Sequence, residues 1–222
     1  MKRHRLFTSV VIIFLVVFGA AFIWMRTALW PRLPQMITSL ADEKINGTLT
    51  FSDMHISLTG KVVFTDVAVA DAQGRRVLDS EEVDVTINPF KAVVSSLSSG
   101  DTAGAVDLVD VKTPVLHVWQ NPTDKSWNVT KLFKKQSPDQ PMALRSNILI
   151  HDGTFRVAPA QGKTAVVEKV NGSVSLADYP SVRGDATASV DGQDVSLSVH
   201  YVSARDYDIK VKGSGLSANF AA

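Results

Sequence analysis

The 222-residue chain contains no cysteine, which excludes a disulfide framework, a thiolate metal site and a cysteine nucleophile. It also has almost no excess of charge: 23 basic against 22 acidic side chains leave a net +1. A broad basic surface that could release counterions from phosphates is therefore lacking, and nucleic acid is not an expected partner. Charged residues make up only 20% of the chain and hydrophobic ones 45%, the reverse of what a disordered tail requires. Acid is missing altogether from the start of the chain, where the first carboxylate is Asp42.

That acid-free start holds one long apolar run. Leu6 to Trp24 is 19 residues without a formal charge, preceded by Lys2, Arg3, His4 and Arg5 and followed closely only by Arg26. As a helix the run would be roughly 28 Å long, about one hydrocarbon core. The basic flank puts the N-terminus in the cytoplasm, with Trp24 and Trp30 at interfacial depth. A cleaved signal peptide fits less well, because the run is long for one and bulky Ile23, Trp24 and Met25 leave no small-residue cleavage site. Residues 1–26 are expected to form a cytoplasmic tip and a transmembrane signal anchor. Residues 27–44 read as a linker with a short amphipathic helix from Pro34 to about Lys44, and 45–222 as a β-rich body across the membrane. That body carries 19 of the basic and all 22 acidic side chains once the linker is counted with it.

Beyond Ile45 the hydrophobic period is two. Glu82–Asn88, Asp194–Tyr201 and Tyr207–Lys212 alternate strictly, so each predicts a strand with one apolar and one polar face. Ten weaker strands are expected over 45–51, 54–58, 61–70, 105–111, 114–119, 146–151, 154–158, 164–169, 171–177 and 182–190. Asp71-Ala72-Gln73-Gly74, Asp152-Gly153, Asn171-Gly172 and Asp191-Gly192 read as the turns between them. Helical pattern is brief, around Pro89–Leu97 and Thr130–Lys134. The expected fold is mainly β, a continuous antiparallel sheet. Its apolar side is predicted to carry Val83, Val85, Ile87, Val195, Leu197, Val199, Ile209 and Val211, with Asp84, Thr86, Ser196 and Ser198 toward solvent. A second sheet, a closed barrel or a curled sheet around a groove would each cover that side, and periodicity does not choose among them.

Motifs of catalysis are not found. His55, His117, His151 and His200 are dispersed on or beside predicted strands, with no i, i+4 pair of the H-E-x-x-H kind. There is no nucleophile elbow, phosphate loop or dinucleotide fingerprint. His151-Asp152-Gly153 reads as hairpin chemistry, Asn128-Val129-Thr130 as a helix start, and Glu81-Glu82 as solvated charge. No catalytic residue, cofactor or metal ligand is assigned, and an enzyme is not expected.

The order of elements from Ile45 to Phe133 resembles the AsmA-like family, and within it the N-terminal region of the TamB proteins. The resemblance rests on an anchor followed by Ile45–Phe51, then Gly60–Asp71, Val83–Ile87, a helical segment from Asn88 to Leu97, Val109–Trp119, and Trp127–Val129 leading to Leu132-Phe133. Ile148–Val157 and Val170–Tyr201 are similar to the β repeats that follow in that family. It implies a curled, groove-like β-taco sheet anchored in the inner membrane of a cell envelope, with its body in the periplasm. Phospholipid acyl chains would lie in the groove, and an outer-membrane Omp85-type barrel or a further C-terminal part of the same protein would continue the path. Thirteen strands at about 4.8 Å make about 62 Å of sheet, short of an envelope, so the chain is expected to be a fragment of something longer, a split gene product, or a short relative that hands lipid to another protein. The alternative is a membrane-anchored β-sandwich serving as a structural or protein-interaction module.

Overall fold

The alternating segments do form strands, and all of them join one sheet. The computed structural model describes Thr38, Asp42 and residues 45–57, 60–88, 91, 105–132, 134, 146–178, 181–203, 206–214 and 216–221. The chain divides into two units, residues 1–43 and 44–222. The expected anchor lies outside the described residues, as do the helix at Pro89–Leu97 apart from Lys91, and the linker helix apart from Thr38 and Asp42. Among the described residues no helix is long and apolar enough to cross a membrane.

The second unit runs β1 (Gly47–Thr50), β2 (Asp53–Ile56), β3 (Lys61–Asp71), β4 (Arg76–Ile87), β5 (Val106–Lys112) and β6 (Val115–Trp119), then helix α1 (Asn128–Leu132). It continues with β7 (Asn147–Ala158), β8 (Ala165–Ser175), β9 (Val182–Val190), β10 (Gln193–Ser203), β11 (Asp206–Gly213) and β12 (Leu216–Ala221). All twelve strands belong to one sheet of order β1-β3-β4-β5-β7-β8-β9-β10-β11-β12. β2 continues β1 along β3, and β6 continues β5 between β4 and β7. Consecutive strands pair antiparallel as expected, with one correction: β5 and β6 run parallel to β7. The long connection from Trp119 to Asn147, which includes α1, makes that crossover possible where a tight turn would not.

A second correction concerns the turn signals. Asp191-Gly192 does make the β9–β10 hairpin, both residues having positive φ (51° and 77°). Asp152-Gly153 and Asn171-Gly172, however, lie inside β7 and β8, so four expected strands merge into two, and the unexpected β12 (Leu216–Ala221) brings the total to twelve. Asp152 supplies left-handed backbone, which a bulge uses as readily as a hairpin does, while in β8 the left-handed residue is Lys169, two before Asn171. At Gly172 a Cβ would come within 2.6 Å of Asp185 O, so the small residue also lets β8 and β9 close up.

Left-handed residues line up across the sheet. Asp66, Thr113, Asp152 and Lys169 all have positive φ, at 50°, 47°, 52° and 51°. The registers put Asp66 opposite Glu81, Glu81 opposite Thr113, and Thr113 beside Asp152. Lys169 adjoins Val170, the partner of Gly153. One row of irregular residues thus crosses the sheet from β3 to β8. In β3 it resets the alternation: Val62 and Phe64 are buried before it, and Val67 and Val69 after it. Past β8 it stops, and β9 pairs with β10 without a register shift.

On one side of that row the apolar face is closed. Leu132 of α1 packs with Val69 and Val77, and Leu49, Leu78, Leu116, Trp119 and Val129 surround them. Asn128 docks the helix: its Oδ1 accepts from Trp119 N at 2.8 Å and its Nδ2 donates to His117 O at 2.8 Å. The helix is therefore held to β6 by an amide side chain that replaces two ladder bonds.

Candidate functional site

Directly paired residues on neighbouring strands point to the same side of a sheet, so the registers trace the apolar face strand by strand. One row passes Met54, Phe64, Val83, Val111 and Ile150 on β2, β3, β4, β5 and β7, then Gly172, Ala186, Leu197 and Val211 on β8 to β11. The next row is Ile56, Val62, Val85, Val109 and Ile148, then Val174, Gly184, Val199 and Ile209 on the same strands. Every position in both is apolar or glycine. Nine strands, and so eight strand spacings of about 4.8 Å, make each row about 38 Å long.

Six of the eight residues expected on the apolar side fall in these two rows: Val83, Val85, Val199, Ile209, Leu197 and Val211. Val195 lies on Leu197's side, opposite Ala188 and Gly213. Ile87 follows Val85 by one alternation, at an irregularity in the β4–β5 register. The face is not equally covered along its length. Val62 and Phe64 are buried, at 6% and 9%, while Leu197 and Tyr201 are exposed at 39% and 41%.

Sequence reasoning missed Met54, Ile56, Val109, Val111, Ile148 and Ile150 as members of the same face. Their strands are shorter in period because each is broken by the irregular row. The signal was the phase slip itself, as in Val62, Phe64, then Val67, Val69, which reads as one strand only if a bulge is placed at Asp66.

The other side of the sheet is polar, but not uniformly solvated. Asp84, expected to face solvent, is only 4% exposed. The correction has a clear cause, since Lys61 and Lys112 lie over it, their Nζ atoms 2.8 and 3.1 Å from Asp84 Oδ2. Burial raises the Asp84 carboxyl's pKa, but hydrogen bonds from the two ammonium groups outweigh it and hold the group below the usual carboxylate range. Lys112 also pairs with Glu82, and the two carboxylates hold its ammonium above the ordinary lysine value. Ser196 and Ser198 are exposed as expected, and Thr86 is half-buried.

The histidines do not converge. His151 Nε2 lies 3.1 Å from Asp110 Oδ1, His55 Nε2 3.4 Å from Asp53 and His117 Nε2 3.9 Å from Asp79, and His200 is exposed on β10. Among the described residues no group of His, Asp and Glu side chains could hold a metal ion. Concavities of about 500 Å³ with mixed polar and apolar linings lie on the described residues, two of them notable. One is lined by Asn46, Asp71, Gln73, Arg75, Trp119 and Lys131 among others, and there the Arg75 guanidinium lies 4.6 Å over the Trp119 ring while bridging to Asp71. The other includes Asn171, Thr187, Ser196, Ser198, Lys210 and Lys212. The feature with chemical consequence is the apolar face, which can hold an extended hydrocarbon without hydrogen bonds. No family model and no curated protein matches the chain.

Proposed function

We propose that the chain is a membrane-anchored lipid carrier of a cell envelope, with phospholipid acyl chains lying along the two apolar rows and head groups kept in water. The observation that carries this reading is the continuity of the rows across nine strands. A path at right angles to the strands suits hydrocarbon, which gains by leaving water and needs no polar partner. The single sheet also favours it over a sandwich of two separate sheets, since all twelve described strands are hydrogen-bonded into one. Exposure of Leu197 and Tyr201 leaves the β10 stretch of the face accessible to an occupant. The apolar run at Leu6–Trp24 supplies the anchor in this reading, with the body in the periplasm, and the curled groove is its expected form.

The test uses the absence of cysteine. Leu197→Cys and Ser196→Cys, each labelled with a benzophenone in the full chain within membranes, report on opposite sides of β10. Phospholipid adducts at 197 and few at 196 are expected on irradiation. Equal labelling at both positions, or none at 197, sinks the proposal.

A further inference from the structure

We infer that the row Asp66, Glu81, Thr113, Asp152 and Lys169 is a fixed fold line that bends the sheet and shapes the apolar face for its occupant, with Asn171 and Ser80 as the positioning residues that hold it. The functional half of this inference rests on the lipid reading above; the bend itself does not.

Three observations carry it. A bulge bends its strand and increases its twist; the β7–β8 and β8–β9 registers shift at this row, and left-handed residues continue it at the same height to β3 with the register kept. Left-handed backbone is unfavourable for L-residues other than glycine, and least suited to a β-branched one such as Thr113. Its recurrence at four non-glycine positions means that the surroundings impose it.

The third observation identifies what imposes it. At successive crossings a side chain bonds to groups beside the left-handed residues. Asn171 Oδ1 accepts from Asp152 N at 3.0 Å, and its Nδ2 donates to Lys169 O at 2.9 Å. One amide thereby ties the left-handed residue of β7 to that of β8. Ser80 is 5% exposed, and its Oγ lies 3.0 Å from Glu82 O and 2.8 Å from Lys112 O, sharing its proton between β4 and β5 beside Glu81 and Thr113. At the β2 edge Ser52 Oγ donates to Asp66 Oδ2 at 2.8 Å. Such bonds would be superfluous in a straight ladder. They fix a bend that the backbone alone does not favour.

Spin-label distances in the full chain, reconstituted in nanodiscs, test it. Asn147→Cys and Arg156→Cys place labels at exposed positions on either side of Asp152 in β7. Along a straight strand their backbones would be about 30 Å apart. A single, narrower separation below that value is expected in the parent, broadened and lengthened by Asn171→Ala. Asn171→Asp, which keeps the acceptor for Asp152 N–H, should stay narrow. Asn171 is exposed, so its alanine variant keeps the core intact, and Ser80→Ala with Ser80→Thr as its rescue gives an independent pair. Distances in Asn171→Ala and Ser80→Ala equal to the parent's overturn the fold line. The benzophenone adduct at 197 is then read in the same variants. A severalfold loss together with the changed distance supports the full inference, whereas a changed distance with undiminished adduct overturns its functional half. A changed distance where the parent forms no adduct leaves the bend standing and removes the lipid reading.

Discussion

Asp84 and Asp110 face each other directly across the β4–β5 pair, two carboxylates on the polar side of the sheet. Like charges so placed repel, and each has a nitrogen-bearing partner. Lys61 and Lys112 hold Asp84, and His151 approaches Asp110 at 3.1 Å. A buried carboxylate at the centre of such a group is stable only while it stays ionised and paired.

The consequence is acid sensitivity of a definite sign. Asp84 is held below its ordinary value, as are Asp71 beside Arg75 and Asp107 beside Lys91. A depressed folded-state pKa contributes stability that is present above the unfolded value of about 3.9 and is lost as pH falls through the folded one. Melting temperature should therefore be flat from about pH 8 to about pH 5 and fall below about pH 4. Asp84→Asn should cost about 2 kcal/mol at neutral pH, because two half-exposed lysines lose their shared anion, and should flatten the acid limb. Thermal unfolding across pH checks both. An acid limb as steep in the variant as in the parent would remove Asp84 as its source.

Thr113 offers a substitution expected to stabilise. Its φ is +47° and its buried Oγ1 has no hydrogen-bond partner. Thr113→Gly removes both penalties, while glycine's freedom in the unfolded chain takes some of the gain back. A net gain of about 1 kcal/mol is expected, read as a higher urea midpoint at unchanged slope. A lower midpoint would show that the side chain contributes more than its backbone conformation costs.

At the closed end of the face the helix should matter more than its five residues suggest. Leu132→Ala leaves a cavity against Val69 and Val77 and should cost about 2–4 kcal/mol. Asn128→Ala frees Trp119 N and His117 O and should cost about 2 kcal/mol. Urea unfolding measures both. Costs under about 0.5 kcal/mol, the range of ordinary surface changes, would mean that α1 is not part of the core.

Strict alternation made β10, β11 and the part of β4 from Glu82 onward legible, because one uninterrupted period of two admits a single assignment of faces. Asp191-Gly192 was legible for the same reason: it separates two complete periods. The merged strands β7 and β8 were not, since Asp152-Gly153 and Asn171-Gly172 carry the same local chemistry as a hairpin, and only pairing partners far along the chain decide between turn and bulge. Asp84 was misplaced for a related reason. Alternation assigns it correctly to the polar side, but its burial depends on Lys61 and Lys112, which are brought over it by two other strands. The parallel pairing of β5 and β6 with β7 has no local signal at all, being set by the path of the connection through α1.

The two sides of the sheet should respond differently to added charge, and so should the two ends of the apolar face. Leu197 is 39% exposed, so a carboxylate there can reach water and Leu197→Asp should shift stability by less than about 1 kcal/mol. It would nonetheless interrupt a row that hydrocarbon must follow, and bound phospholipid should fall severalfold. Ser196→Asp, on the opposite side of the same strand, should change neither quantity. Val85 is half-buried against Val62, which is 6% exposed, so Val85→Glu should cost about 2–3 kcal/mol as well as lipid. Thermal stability and extractable phospholipid are measured for all three variants of the full chain. Lipid content that tracks stability, high in Leu197→Asp and low only in Val85→Glu, would mean that the exposed stretch of the face carries no acyl chain, and the path would have to be abandoned.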